Sequence, residues 1–542
     1  MPHDDLAVSI IRRQGELRGL RSDKEDVWRQ CGDFSFPIRS QGFYGEREEL
    51  SGTQTKQAEL YDSTATDAAR ILASSTQTGS TPANTRWFGL VVQDQEDNER
   101  QWLDESAERL WTQIHASNFD AESMDGLLDM VAFGWFVMFV TDDRDESGGI
   151  DGFKFELWPI GNCYCAASKH GGPIDTVFRP YCLTVEQCVG EFGLDKVSDK
   201  VRELYMSEKY DEKVSLIHAI YPRREGKEGA KRAKNMPFAS VYVDCDAKTT
   251  LRESGFHEQP FFAPRWTRVP NSVYAVGPMF DALPDVKTLN KLAQMELANV
   301  DIAVAGMWIA EDDGVLNPRT VKVGPRKIIV ANSVDSMKPL TTGADFNVSF
   351  TKREQLAAQI RKIMMADQLP PMEGQPRTAT EFYARINLIR QLLGPVYGRM
   401  QSEYLKPLIQ RCFGLAFRGG LFDPPPQSLA GRQYSIVYLS PMAKSQKLEE
   451  VSAIEGTFAA VAQLAAAKQD PTVWDNYDVD EGMRMAADGR GVPAKIVRNA
   501  DDVAEIRKVR AEQQEAQQQQ AMQQQIGMEA ASAGIQQMAQ AQ

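Results

Sequence analysis

Residues 276–305, VGPMFDALPDVKTLNKLAQMELANVDIAVA, set the architecture of this chain. Val286, Leu289, Ala293, Leu297, Val300 and Val304 return every three or four positions, the rhythm of a helix that buries one seam. Pro284 is read near the helix start, where a missing N–H breaks no helical bond. Twenty residues from that proline cover about 30 Å. The texture then changes. Residues 306–349, with MWIAEDDGVLNPRTVKVGPRKIIVANSVDSMKPLTTGADFNVS from 307, read as turns and short strands. Helical patterning resumes over about 350–366, so two helices bracket a β-containing excursion.

Asp367–Arg377, DQLPPMEGQPR, follows as a loop, because its three prolines and a glycine suit no regular element. Thr378 and Glu381 then have capping-box spacing: the threonine hydroxyl accepts from an early amide while the glutamate reaches back. Ile386, Ile389, Leu393, Val396 and Met400 continue as a long helix, and Tyr404, Leu408 and Ile409 extend the seam. Gly394-Pro395 predicts a kink in it.

Toward the N-terminus, residues up to about 135 read as helical. Leu6, Ile10 and Ile11 open one pattern, and Leu103, Ala107, Leu110 and Ile114 form another. TQTGSTPANTR (76–86) breaks this region. Between 150 and 275 the runs FKFELWPI (153–160), TVFRPYCL (176–183), VSLIHAIYP (214–222) and FASVYVDC (238–245) predict strands. Arg223–Lys234, with six basic residues against two acids, reads as a solvated hairpin loop or a contact for an anionic partner. Beyond Gly419–Pro426 come one strand, YSIVYL (434–439), and helical segments over 443–510. The last thirty residues hold thirteen glutamines and seven alanines, a composition open to a disordered tail or to a helix completed in an assembly. The fold class is α+β.

Charge narrows the functions. The 542 residues carry a formal −14, which argues against a protein that clamps duplex DNA with Lys and Arg. Residues 350–419 are the exception, with eleven Lys/Arg against five acids. That stretch either faces DNA or pairs with acids of neighbouring subunits. The longest apolar run, Met130–Val140, is eleven residues, too short for a membrane span. An N-terminus without a signal-peptide core and seven scattered cysteines suggest a soluble, reduced, cytosolic setting.

Enzyme signatures are sparse. The chain has no G-x-x-x-x-G-K-[ST], no H-E-x-x-H and no G-x-S-x-G. Gly489-Arg-Gly491-Val-Pro-Ala494 follows a polar helical stretch, so it reads as a turn rather than a dinucleotide loop. Cys163-x-Cys165 lacks the spacing and the second pair of a zinc knuckle and reads as buried strand cysteines. No catalytic residue, metal ligand or cofactor is nominated.

TGSTPANTRWFGL (78–90), DTVFRPYCLTVEQCVGEFG (175–193), VGPMFDALPDVKTLNKL (276–292) and LPPMEGQPRTATEFYARI (369–386) together resemble the portal, or head-to-tail connector, proteins of short-tailed double-stranded DNA bacteriophages. The resemblance implies a wing (1–277), stem helices (278–305 and 350–366) around a clip (306–349), a tunnel loop (367–377), a long kinked helix with a return strand (378–442), a crown (443–510) and a C-terminal barrel or tail (511–542). It implies a twelve-subunit ring at one capsid vertex, through which DNA is packaged and ejected. Its partners would be terminase, the tail adaptor and tail proteins, and the capsid and scaffolding proteins, with no membrane. Met372, Glu373, Gln375 and Arg377 would meet DNA in the channel. Lys352, Arg353 and Arg385 would contact DNA or a neighbouring subunit. Arg319, Lys322, Arg326 and Lys327 would lie on the docking clip, with Lys338 a further basic residue there. Another phage assembly protein, such as a scaffold or tail component, and an enzyme of phage DNA metabolism are the rival classes.

Overall fold

The computed structural model describes residues 4–43, 50–92, 97–144, 150–227, 229–230, 232–305, 308–310, 337–339, 346–368, 393–429, 435–438, 441–468, 471–490, 492, 496–498, 502–514 and 516–517. The first helices are α1 (Asp5–Asp33), α2 (Leu50–Ala58) and α3 (Thr64–Ser80), followed by β1 (Phe88–Val91). Then come α4 (Asp97–Ala116), α5 (Phe119–Phe133), β2 (Val137–Arg144), β3 (Ile150–Trp158), β4 (Tyr164–Ala166) and β5 (Thr176–Thr184). Two short helices, α6 (Val185–Phe192) and α7 (Asp199–Met206), precede β6 (Lys213–Pro222), β7 (Phe238–Asp244), β8 (Thr249–Phe256), β9 (Phe261–Phe262), β10 (Thr267–Arg268) and β11 (Ala275–Val276). The chain continues through α8 (Pro278–Ala305), β12 (Trp308–Ala310), β13 (Met337–Pro339), α9 (Phe346–Ile363), α10 (Lys406–Arg418), β14 (Ser435–Tyr438), α11 (Pro441–Lys468) and α12 (Val479–Arg490).

These elements form two compact units, one of residues 1–87 and 108–423, the other of 88–107 and 424–542. In the first unit, β4-β5-β6-β7-β8 make a five-stranded sheet whose neighbours are all antiparallel. The predicted strand runs fall on β3, β5, β6 and β7, as β-branched and aromatic residues with turn punctuation require. The basic insert is the β6–β7 connection, and Arg223 ties it back by donating to the Ala233 carbonyl at 2.8 Å and to Glu253 at 3.1 Å. A second sheet has the order β3-β2-β9.

Helix α1 packs on the large sheet. Ala7, Ile10 and Leu17 are buried with Tyr164, Phe178, Ile217 and Val241. Arg21, on the same seam, is 1% exposed, and its guanidinium donates to the carbonyls of Ile160, Gly161 and Cys163 at 2.8, 2.5 and 2.6 Å. Burying that charge is tolerable because these carbonyls, with Glu25 at 2.7 Å, replace its hydration. A separate cluster joins α6 and α7 to β6 and β8 through Val185, Cys188, Val201, Leu216 and Leu251. Gly134 closes α5 with φ +93°, and a Cβ there would meet the Val276 backbone at 2.1 Å, so only glycine fits.

The second unit pairs β1 with β14, antiparallel. In it α11 and α12 are joined by an Arg490–Glu455 bridge at 2.5 Å, and Phe458 packs edge-on against Trp474. Among the described residues, no helix is long and apolar enough to cross a membrane.

Candidate functional site

Helix α8 begins at Pro278, so Pro284 lies inside it, in the second turn rather than at the expected start. Met279, Ala282, Leu283, Val286, Leu289 and Ala293 are buried. The apolar seam then runs on without cover: Leu297 and Val300 are 53% and 49% exposed. Helix α9 packs beside it, with Leu356, Ile360 and Met364, immediately past its end, as its buried side. Phe350 stands 57% exposed on α9. Of the intervening excursion, the described part is one antiparallel ladder, with Trp308 opposite Pro339 and Ala310 opposite Met337.

The basic residues of this region divide into two groups. Arg353 is held within the subunit, its guanidinium 3.3 Å from both Glu296 of α8 and Asp62. Arg411 and Arg418 converge on Glu258, at 3.1 Å for Arg411 Nη1 and 2.7 Å for Arg418 Nη2. Burial would raise the Glu258 carboxyl, but the two guanidinium groups outweigh it and hold the group below its ordinary value. Part of the cationic excess is therefore matched by acids of the same chain, a third outcome beside DNA and neighbouring subunits. Lys352, Arg361 and Lys362 remain exposed on α9, with no acidic partner within 4 Å among the described residues.

Farther along the long helix, a buried arginine from outside it is paired with Glu403. Residues 393–400 are α-helical through Gly394-Pro395. A π-turn follows over Gln401–Leu405, where the Lys406 amide reaches the Gln401 carbonyl. Pro407 is the physical cause: with no N–H it cannot serve the carbonyl of Glu403 four residues back, and the helix widens by one residue there. The turn before Gly394-Pro395, where the expected kink would act, lies outside the described residues. On the π-turn, Glu403 accepts from Arg265 Nε at 3.0 Å and Nη2 at 2.5 Å. Arg265 is 1% exposed, and the Val273 and Gly172 carbonyls accept two of its remaining N–H groups at 3.2 and 3.1 Å. Tyr404 is fully buried and donates to Ser123 Oγ at 3.2 Å. No motif pointed to Arg265; only the fold brings positions 138 apart in sequence together.

Two groups of chemically capable side chains are engaged internally. Trp87 Nε1–H donates to His115 Nε2 at 3.1 Å, and His115 Nδ1 lies 2.9 Å from Asp120. An indole only donates, so Nε2 is the unprotonated nitrogen and both ring nitrogens are occupied. Cys163 and Cys165 are buried, and desolvation pushes the Cys163 thiol up to about 12, away from a metal-binding thiolate.

Met372, Glu373, Gln375, Arg377, Thr378, Glu381 and Arg385 lie outside the described residues, as do Arg319, Lys322, Arg326 and Lys327. Lys338 falls on β13, opposite Ile309.

A family model described as "Bacteriophage head to tail connecting protein" matches residues 7–497. The chain is 29% identical over 523 residues to a protein named "Portal protein" from Salmonella phage epsilon15, covering 94% of this chain and 91% of that one. It is 27% identical over 529 residues to a "Probable portal protein" from Bordetella phage BPP-1, with the same coverages. A chain in the solved neck of an empty gene transfer agent particle aligns with 76% of this chain and 90% of its own length, at 16% identity and TM-score 0.33. With its match running almost from end to end, the chain belongs to the family of bacteriophage head to tail connecting proteins.

Proposed function

We propose that this chain is a portal subunit, which assembles as a ring of twelve copies at one vertex of the phage head and forms the channel for genome packaging and ejection. Family membership supports the place, the junction of head and tail. The observation that carries the assembly is the seam of α8. Its apolar rhythm passes Ala293 unchanged, yet Leu297 and Val300 leave the subunit's own core half-exposed. In a ring, the neighbouring copy covers them, and their burial contributes to the subunit interface.

The role is structural. Terminase docks on the 306–349 excursion during packaging, and the tail adaptor takes its place afterwards. Met372, Glu373, Gln375 and Arg377 project toward the DNA and resist its backward slip. The acidic character of the chain limits counterion-releasing contacts along the channel and lets the duplex slide. Lys352, Arg361 and Lys362 of α9 supply the few basic positions that steady it.

Electron microscopy of the purified protein, with and without Met372–Gln375, tests this reading. The expected result is central-holed rings for both proteins, with packaging or DNA retention impaired by the deletion. Rings lost on deletion would make the loop a subunit contact. A monomeric wild-type protein that turns over nucleotide would replace the portal reading with the enzymatic one.

A further inference from the structure

Beside the Arg265–Glu403 pair, the β4–β5 connection and the β10–β11 hairpin enclose an open cleft of about 370 Å³. Lys169, His170, Arg265 and Arg268 line it, and no acidic residue does. Arg265 is already neutralised by Glu403. Lys169 and Arg268 are not: both are exposed, and neither has a carboxylate within 4 Å among the described residues. Arg268 spends one donor on the Gly171 carbonyl at 3.0 Å, which fixes its guanidinium at the rim and leaves its other donors open. Two unmatched cations around one concavity are conspicuous in a chain of net −14.

We propose that this cleft receives an acidic side chain from a second copy of this chain, making an electrostatic latch between subunits. The inference rests on the ring reading above. Three features select this occupant. The space accommodates one or two side chains and excludes a DNA duplex, whose width far exceeds it. A planar guanidinium held at a rim suits a carboxylate, to which it can donate in parallel. A strongly acidic chain repeated around a ring also offers carboxylates to its neighbours at every junction.

Zero-length carbodiimide coupling tests the latch directly, because it joins a lysine amine only to a carboxylate already in contact. Rings are assembled from equal parts of ¹⁴N- and ¹⁵N-labelled protein, coupled, digested and analysed by mass spectrometry. Lys169 is expected in peptides that join a light to a heavy chain. In parallel, Lys169→Glu/Arg268→Glu should need at least tenfold more protein to assemble at low salt, with an unchanged circular dichroism spectrum. Lys169→Arg/Arg268→Lys should assemble normally. Rings that form while Lys169 couples only within its own chain, or not at all, would overturn the latch and leave the portal reading standing. Normal assembly of the double Glu variant with weakened DNA retention would also overturn it, by making the cleft a nucleic-acid contact. Wild-type protein that never forms rings would instead remove the portal reading on which the latch rests.

Discussion

The two ends of α8 share one apolar rhythm and differ in what covers them. From Met279 to Ala293 the seam is closed by the subunit's own elements, whereas Leu297 and Val300 stand half in solvent. The basic residues repeat the contrast. Arg265 and Arg411 are buried against Glu403 and Glu258, while Lys352, Arg361 and Lys362 lie exposed on α9 without such partners among the described residues. Hydrophobic periodicity thus reports that a face will be covered and is silent about which molecule covers it. One region of this protein completes itself; the other is left for its neighbours.

The closed region should break first when its charges are orphaned. Arg265→Met removes the only cation bonded to Glu403 among the described residues and leaves a carboxylate that is 11% exposed, so the first unit should lose about 3–5 kcal/mol in a denaturant melt. Adding Glu403→Met should recover much of that loss, and a double variant as unstable as the single one would show that the π-turn itself had failed. Next in size is the contrast along α8. Leu289→Ala, at a site 1% exposed, should cost about 2–5 kcal/mol. Leu297→Ala should change the stability of a dissociated subunit by less than about 0.5 kcal/mol. Equal costs at both positions would mean that the outer seam is already covered within the subunit.

A smaller effect concerns acid. His218 is buried against Tyr242, with ring centroids 4.0 Å apart, and its Nε2 meets Ser240 Oγ at 2.9 Å. Burial first, then the nearby Arg179 and Arg252, hold its pKa well below the ordinary histidine value. The unfolded chain therefore takes up this proton first, and stability should fall as pH drops below about 6.5. Glu258, whose folded pKa is also depressed, adds a second loss as pH falls below the ordinary glutamate range, about 4.3. His218→Gln should flatten the upper part of that profile and leave the lower part. An unchanged upper part would show that another group governs it.

The strands between 150 and 256 were legible because their β-branched and aromatic runs are separated by clear turn residues, and α8 because its seam is long. The α+β class followed from these. What escaped were pairings set by tertiary context. The π-turn before Pro407 was one, since nothing local distinguishes a proline whose missing N–H leaves the Glu403 carbonyl unserved. Arg21 and Arg265, which no sequence pattern singled out, are among the most buried side chains, because distant backbone carbonyls solvate them. Arg353, read toward DNA or a neighbour, also bridges Asp62 and Glu296 of its own chain, a pairing that its sequence position did not reveal. The tunnel loop and most of the clip were named on resemblance alone.

Native mass measurement of wild-type protein beside Leu297→Asp/Val300→Asp addresses the uncovered seam most directly. Wild-type protein should appear near twelve times 60.6 kDa, and the variant at 60.6 kDa with an unchanged melting profile. A variant that still forms the full ring, or a wild-type protein that stays at the single-chain mass, would contradict the claim that neighbouring copies close this seam.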